Sequence, residues 1–288
     1  MRRLRLIAIF AALAVLAFLM LASFARSMLY PSPPVAVPSP PGGDLGEERL
    51  SLATGSQVYA WSLEPANLAT GRPVAVFLHG NGENLETMRR SGLFDRLRRM
   101  EVVTLVIDYP GYGRSGGRTN EEGVIASAGA GIDWARENHP ERPVVLVGWS
   151  LGAAAALGAA ARRPDEVVGV AALSPWSTLA EVAATHFPRF LVTWAVKERY
   201  DNLEAARMIA RHGVPTLVIH GERDTIIPAE QGRRVTEALR QGYPAETGAP
   251  TTWLGIPEAG HNDLLGYAEV WQALERFLDD ASGEPDSA

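Results

Sequence analysis

The feature that most constrains this chain is an alternation. Short apolar runs bounded by Gly or Pro recur at Val74–Leu78, Val102–Ile107, Val144–Val147, Val167–Leu173, Thr216–Ile219 and Thr251–Leu254. Between them lie stretches of helical composition, roughly residues 85–99, 120–138, 151–162, 202–212, 229–240 and 263–279. Continuous apolar strands suit a parallel sheet covered on both faces, because neither face meets water. The alternation therefore predicts a doubly wound α/β sheet. Residues 47–63 alternate more loosely and predict two edge strands with their turn at Thr54-Gly55. Right-handed crossovers place the carboxyl ends of the strands along one edge, where ligands bind. The residues just after each strand are thus the ones to read for chemistry.

A chain of 288 residues can hold one such domain and bury a full core. It has no cysteine, which excludes disulfides, zinc–thiolate sites and iron–sulfur clusters. Lys and Arg total 27 against 33 Asp and Glu, a net charge of −6. The first thirty residues hold four of the arginines and no acid, so the remainder carries 23 basic against 33 acidic residues. An acidic body argues against nucleic acid as a partner. The single lysine, Lys197, sits in Val-Lys-Glu, so the Gly-Lys-Ser/Thr of a phosphate-binding loop is absent.

Residues 1–30 read as a membrane segment. Leu6–Ala25 are twenty residues without charge, about 30 Å of helix, which matches a hydrocarbon core. The preceding arginines stay cytoplasmic and place the rest of the chain on the far side. A retained single-span anchor is one reading. A cleavable signal peptide, using the small residues of Ser23-Phe24-Ala25, is the other, and it gives a secreted or periplasmic protein. Residues 31–43, with six prolines in Pro31–Pro41, read as a stiff spacer. The domain is then expected over residues 44–280, with a flexible tail at 281–288. Residues 175–200 break the alternation and are expected to form a small cap.

Two segments match Gly-x-Ser-x-Gly: Gly148-Trp149-Ser150-Leu151-Gly152 and Gly113-Arg114-Ser115-Gly116-Gly117. A nucleophile elbow needs a strand before the serine, a helix after it and no bulk at the flanking glycines. Val144–Val147 and the alanine-rich 153–161 stretch supply strand and helix for Ser150. Ser115 lies in a Gly/Pro-rich loop and reads as structural. A serine hydroxyl needs a base. Of the six histidines, His261 follows the last strand, in Gly260-His261-Asn262-Asp263. His220 lies too close to Asp224 and reads as packed. Asp224 follows the strand Thr216–Ile219 and is expected to orient the base; Glu222 is the neighbouring alternative. The order Ser, Asp, His is one of three known triad orders. The oxyanion donors are expected to be the backbone N–H groups of Leu151 and of Asn81, in His79-Gly80-Asn81-Gly82, with the Gly82 N–H as the alternative to that of Asn81. Trp149, Trp176 and Trp194 are candidates for an acyl pocket. Gly111-Tyr112-Gly113-Arg114-Ser115-Gly116 also fits a dinucleotide fingerprint, but no helix opens at its third glycine. Asp108 reads as a buried structural carboxylate.

Across residues 47–280 these motifs together resemble the α/β-hydrolase superfamily: the 79–82 loop, Asp108-Tyr109-Pro110-Gly111-Tyr112-Gly113-Arg114-Ser115, the 148–152 elbow and Gly221-Glu222-Arg223-Asp224. The closest resemblance is to the membrane-anchored abhydrolase-domain subgroup related to serine aminopeptidases and acyl-protein thioesterases. One position departs: that subgroup often carries arginine before the serine, where this chain has Trp149. The resemblance implies an eight-stranded, mostly parallel sheet with helices on both faces, a Ser–Asp–His triad, and hydrolysis of an ester, thioester or amide without cofactor or metal. A lipid-like or acylated substrate is expected. Acyl transfer to an alcohol, and a non-catalytic binding or scaffold protein on the same fold, are the alternatives.

Overall fold

The structure is a computed structural model and describes residues 29–68, 71–186, 189, 192, 198–244 and 250–282. Each apolar run forms its strand. In chain order these are β1 Leu45–Ser51, β2 Gln57–Leu63, β3 Val74–Leu78, β4 Thr104–Ile107, β5 Val144–Trp149, β6 Gly169–Leu173, β7 Thr216–Gly221 and β8 Thr251–Ile256. They make one eight-stranded sheet in the order β1-β2-β4-β3-β5-β6-β7-β8. β2 runs antiparallel to both of its neighbours, and the pairs from β4 to β8 are parallel.

Side chains alternate across each strand, so the sheet divides the core in two. Val76 and Leu78 face one cluster, Ala75 and Phe77 the other. The first face is covered by α3 Glu121–Asn138, α4 Leu151–Arg162, α6 Asn202–Arg211 and α7 Ala229–Gly242. The second is covered by α1 Leu85–Arg90, α2 Leu93–Arg99 and α8 Ala268–Asp280. α5 Leu179–His186 lies in the expected cap, which is only partly among the described residues.

Three details differ from the sequence reading. The helix expected over 85–99 is two helices, because Gly92 adopts φ +79° and turns the chain between them. The helix expected from 263 begins at Ala268, after a 3₁₀ turn at Leu264–Gly266. The proline-rich stretch forms neither helix nor strand, as its composition requires, but it is not a free spacer. Tyr30 and Val37 are buried, one in each core cluster, and the Asn84 side chain donates to the Val35 carbonyl at 2.8 Å. The packed unit therefore already includes Leu29 rather than starting near Asp44.

Among the described residues no helix is long and apolar enough to cross a membrane. The run Leu6–Ala25 lies outside the described residues, as does most of the tail 281–288.

Candidate active site

β5 delivers Ser150 to the sheet edge and α4 starts at the next residue. Between them Ser150 takes φ +55°, ψ −112°, a conformation that side chains rarely adopt. The turn closes so tightly that a Cβ on Gly148 would overlap the Gly152 carbonyl, and one on Gly152 would overlap the Leu78 carbonyl. Both glycines are thus required by backbone contact on either side of the serine. Ala153, Ala154, Ala155 and Ala156 are buried in the helix that follows, where small side chains let it lie close on the sheet.

Three strand ends converge here. His261 Nε2 lies 3.0 Å from Ser150 Oγ, and His261 Nδ1 lies 2.7 Å from Asp224 Oδ2. All three residues are buried. The other oxygen of Asp224 accepts the backbone N–H of Ile226 at 2.9 Å and of Ile227 at 2.7 Å. Burial pushes the Asp224 carboxyl up, but hydrogen bonds from His220, His261 and the Ile227 N–H outweigh it and hold the group well below the usual carboxylate range. An ionised carboxylate only accepts, so the proton on His261 sits on Nδ1 and leaves Nε2 to accept the serine hydroxyl. The arrangement can therefore deprotonate Ser150 and stabilise the imidazolium that results.

The neighbouring acids are engaged elsewhere. Glu222 pairs with Arg233 at 2.6 Å, and Asp263 accepts the Gly260 N–H at 2.7 Å, bracing the turn that carries His261. His220 is packed, as its position suggests. It donates from Nε2 to the Ile227 carbonyl at 2.8 Å and lies 3.5 Å from Asp224 Oδ2. That second histidine on the aspartate was not read from the sequence as a supporting group, though its i, i+4 spacing to Asp224 was visible.

Ser115 is structural. Its hydroxyl donates to the Asp108 carbonyl at 2.7 Å and accepts the Tyr59 N–H at 2.8 Å. Asp108 is fully buried, but its carboxylate accepts the Leu85 N–H, at the start of α1, at 2.9 Å.

The loop after β3 packs directly on the elbow. A Cβ on Gly80 would lie 2.9 Å from the Trp149 ring, so only glycine fits there. His79 anchors the loop: Nδ1 donates to the Gly80 carbonyl at 2.8 Å, and Nε2 lies 3.3 Å from Asp108. The N–H of Leu151 is at the first helical position and has no acceptor within the helix. Neither it nor the N–H of Asn81 donates to a protein group among the described residues. The Asn81 side chain is engaged at both ends, donating to the Leu29 carbonyl at 2.7 Å and accepting from Tyr112 at 2.5 Å. Sequence reading missed both partners: the Leu29 carbonyl carries no residue-type signal, and Tyr112 lies 31 residues away in sequence.

Of the three tryptophans, Trp149 lies with its ring centroid 5.8 Å from that of His261 and lines a cavity of about 250 Å³ with Met88, Leu93 and Trp271. Trp176 is buried edge-on against Tyr200, at 6.1 Å between centroids. Trp194 lies outside the described residues. Among the described residues no group of three or more His, Asp or Glu side chains is arranged to hold a metal ion.

A parallel sheet with an antiparallel edge, a strained serine between β5 and α4, and a histidine and aspartate on later strand ends define the class as an α/β hydrolase fold. The sequence model described as alpha/beta hydrolase fold matches residues 73–195, which include Asn81 and Ser150 but end before Asp224 and His261. Over 286 residues the chain is 30% identical to an uncharacterized protein of Mycobacterium tuberculosis, covering 96% of this chain and 95% of that one. It is 29% identical over 195 residues to protein ABHD12B of Homo sapiens, covering 62% of this chain and 53% of that one. Among solved structures, the Pyrococcus furiosus esterase Pf2001 has a TM-score of 0.69 at 19% identity, covering 88% of this chain and all (100%) of that one. The chain belongs to the α/β-hydrolase fold family.

Proposed function

We propose that the protein is a serine hydrolase that cleaves a carboxylic ester, thioester or amide of a lipid-like or acylated substrate through an acyl-enzyme on Ser150. The observation that supports this reading most is the His261 ring placed between Ser150 at 3.0 Å and Asp224 at 2.7 Å. Ser150 Oγ attacks the carbonyl carbon while His261 Nε2 takes its proton. The oxyanion of the tetrahedral intermediate accepts from the Leu151 and Asn81 N–H groups. His261 then returns the proton to the leaving group as the carbon–heteroatom bond breaks, and the acyl group stays on Ser150. Water, deprotonated by His261, attacks the acyl-enzyme and releases the acid. The Pyrococcus furiosus neighbour is named an esterase, which agrees with this chemistry.

Active-site labelling with a fluorophosphonate tests the reading. Wild type should label and Ser150→Ala should not; absence of labelling and of ester, thioester and amide hydrolysis in folded wild type would overturn it. The same reading holds the chain at a membrane through Leu6–Ala25, with the domain outside the cytosol. Alkaline carbonate should leave the protein in the membrane fraction, and protease added to spheroplasts should digest the domain. Release by carbonate with a shortened N-terminus would establish a cleaved signal peptide instead.

A further inference from the structure

The geometry points to residues 29–37 as a working part of the active site: a strap that positions the oxyanion loop. This rests on the proposed serine-hydrolase reading. The loop is anchored at its start by His79, and the expected donor lies beyond that anchor. Asn81 is flanked by Gly80 and Gly82, and Gly82 sits at φ +79°, so the backbone around the expected donor is conformationally permissive. His79 holds the Gly80 carbonyl at the start of the loop, and within these three residues Asn81 supplies the side chain by which the donor itself can be gripped. The strap grips it from one side through the Leu29 carbonyl at 2.7 Å, and Tyr112 grips it from the other at 2.5 Å.

The strap itself is pinned along its length. The Tyr30 hydroxyl is hydrogen-bonded to that of Tyr200 at 2.9 Å, a buried contact across 170 residues of sequence. Pro31 lies beside Gly82, its carbonyl 3.8 Å from where a Cβ would stand. The Val35 carbonyl accepts from Asn84 at 2.8 Å, and Asn84 caps α1 immediately beyond the loop. Val37 is buried near Gly113 in the second core cluster. Pro31, Pro33 and Pro34 restrict the backbone between the outer pins, which lowers the entropy cost of holding it. A prearranged N–H stabilises an oxyanion only while its position is fixed, and a glycine-flanked donor gains that fixity from its clamp. Leu29 and Tyr30 are therefore positioning residues: they act through Asn81 and through the cap-end Tyr200, not on the substrate.

The test uses the full chain. Asn84→Asp keeps the acceptor that caps α1 and loses the donor to Val35; Tyr30→Phe removes the hydroxyl that links to Tyr200; Asn81→Asp loses the donor to Leu29 and keeps the acceptor for Tyr112. For each, kcat and KM on a p-nitrophenyl ester are compared with the Ki of a trifluoromethyl ketone, whose serine adduct needs the oxyanion hole. Asn81→Asp should lower kcat by about tenfold or more and weaken the ketone by the same factor, with KM within about twofold. Asn84→Asp and Tyr30→Phe should move both in the same direction by smaller factors. A purely structural role predicts a lower Tm with kcat and Ki unchanged, and that result in all three variants would overturn the strap while leaving the hydrolase reading intact. Wild type that neither labels at Ser150 nor turns over ester would overturn both. Should Asn81→Asp fail to fold, the two milder variants decide.

Discussion

The chain contains Gly-x-Ser-x-Gly twice, and the two serines use their hydroxyls in opposite ways. Ser115 donates to the Asp108 carbonyl and accepts the Tyr59 N–H, so its hydrogen-bonding capacity goes into joining a loop to β2. Ser150 donates its backbone N–H to the Leu173 carbonyl of β6 at 2.8 Å, which ties its main chain to the sheet and leaves Oγ for His261. Ser150 has φ +55°, and Ser115 has no positive φ. Backbone strain of that kind costs about 1–3 kcal/mol and persists only where surrounding structure enforces it. The motif is the same in letters. What differs is whether a strand ends and a helix begins at the serine.

Substitutions can break this contrast, and the largest effect belongs to the nucleophile. Ser150→Ala should lower kcat by about 10³-fold or more and abolish fluorophosphonate labelling without loss of Tm. Asp224→Asn should lower kcat by roughly 10²- to 10⁴-fold, because His261 loses the acceptor that fixes its tautomer. The same variant carries a pH signature. The Asp224 carboxyl is depressed from its ordinary value of 3.8, so the stability it adds is complete above that value and is lost as pH falls below it. Wild type should therefore exceed Asp224→Asn in denaturant midpoint at neutral pH, with the gap closing below about pH 4.

The glycines sharpen the comparison. Gly152→Ala pushes a Cβ into the Leu78 carbonyl, with backbone on both sides unable to yield, and should cost about 3 kcal/mol or more by chemical denaturation. Ser115→Ala should cost about 1–3 kcal/mol, since it orphans the Tyr59 N–H, while labelling and kcat stay within about twofold of wild type. Gly116→Ala should be smallest, within about 0.5 kcal/mol, because its Cβ would meet the Gln57 carbonyl at an ordinary 3.6 Å. Activity lost in Ser115→Ala but kept in Ser150→Ala would reverse the roles of the two motifs.

The core strands were legible because burial on both faces leaves an uninterrupted apolar run, a signal carried by the residues themselves. Ser150, Asp224 and His261 were legible as residues that follow strands, and parallel topology brings such residues to one edge. Choosing Asp224 over Glu222 was a closer matter. They are two residues apart, and the difference is that Ile226 and Ile227 turn their N–H groups onto Asp224 while Arg233 draws Glu222 outward. The break of the 85–99 helix was less legible, since Gly92 inside a helical pattern only suggests a turn.

The amino-acid sequence by itself determined the alternation of strands and helices, the elbow and the chemical types gathered at the sheet edge, because periodicity and motif spacing are local properties of side chains. Only the tertiary structure decided that His261 reaches both partners and that His220 shares Asp224. It alone also decided that the proline-rich stretch is packed against the oxyanion loop. The last of these rests largely on the carbonyls of Leu29 and Val35 and on a Tyr30–Tyr200 contact spanning the domain. Every residue owns the same carbonyl, so no pattern of letters marks which ones the fold will use.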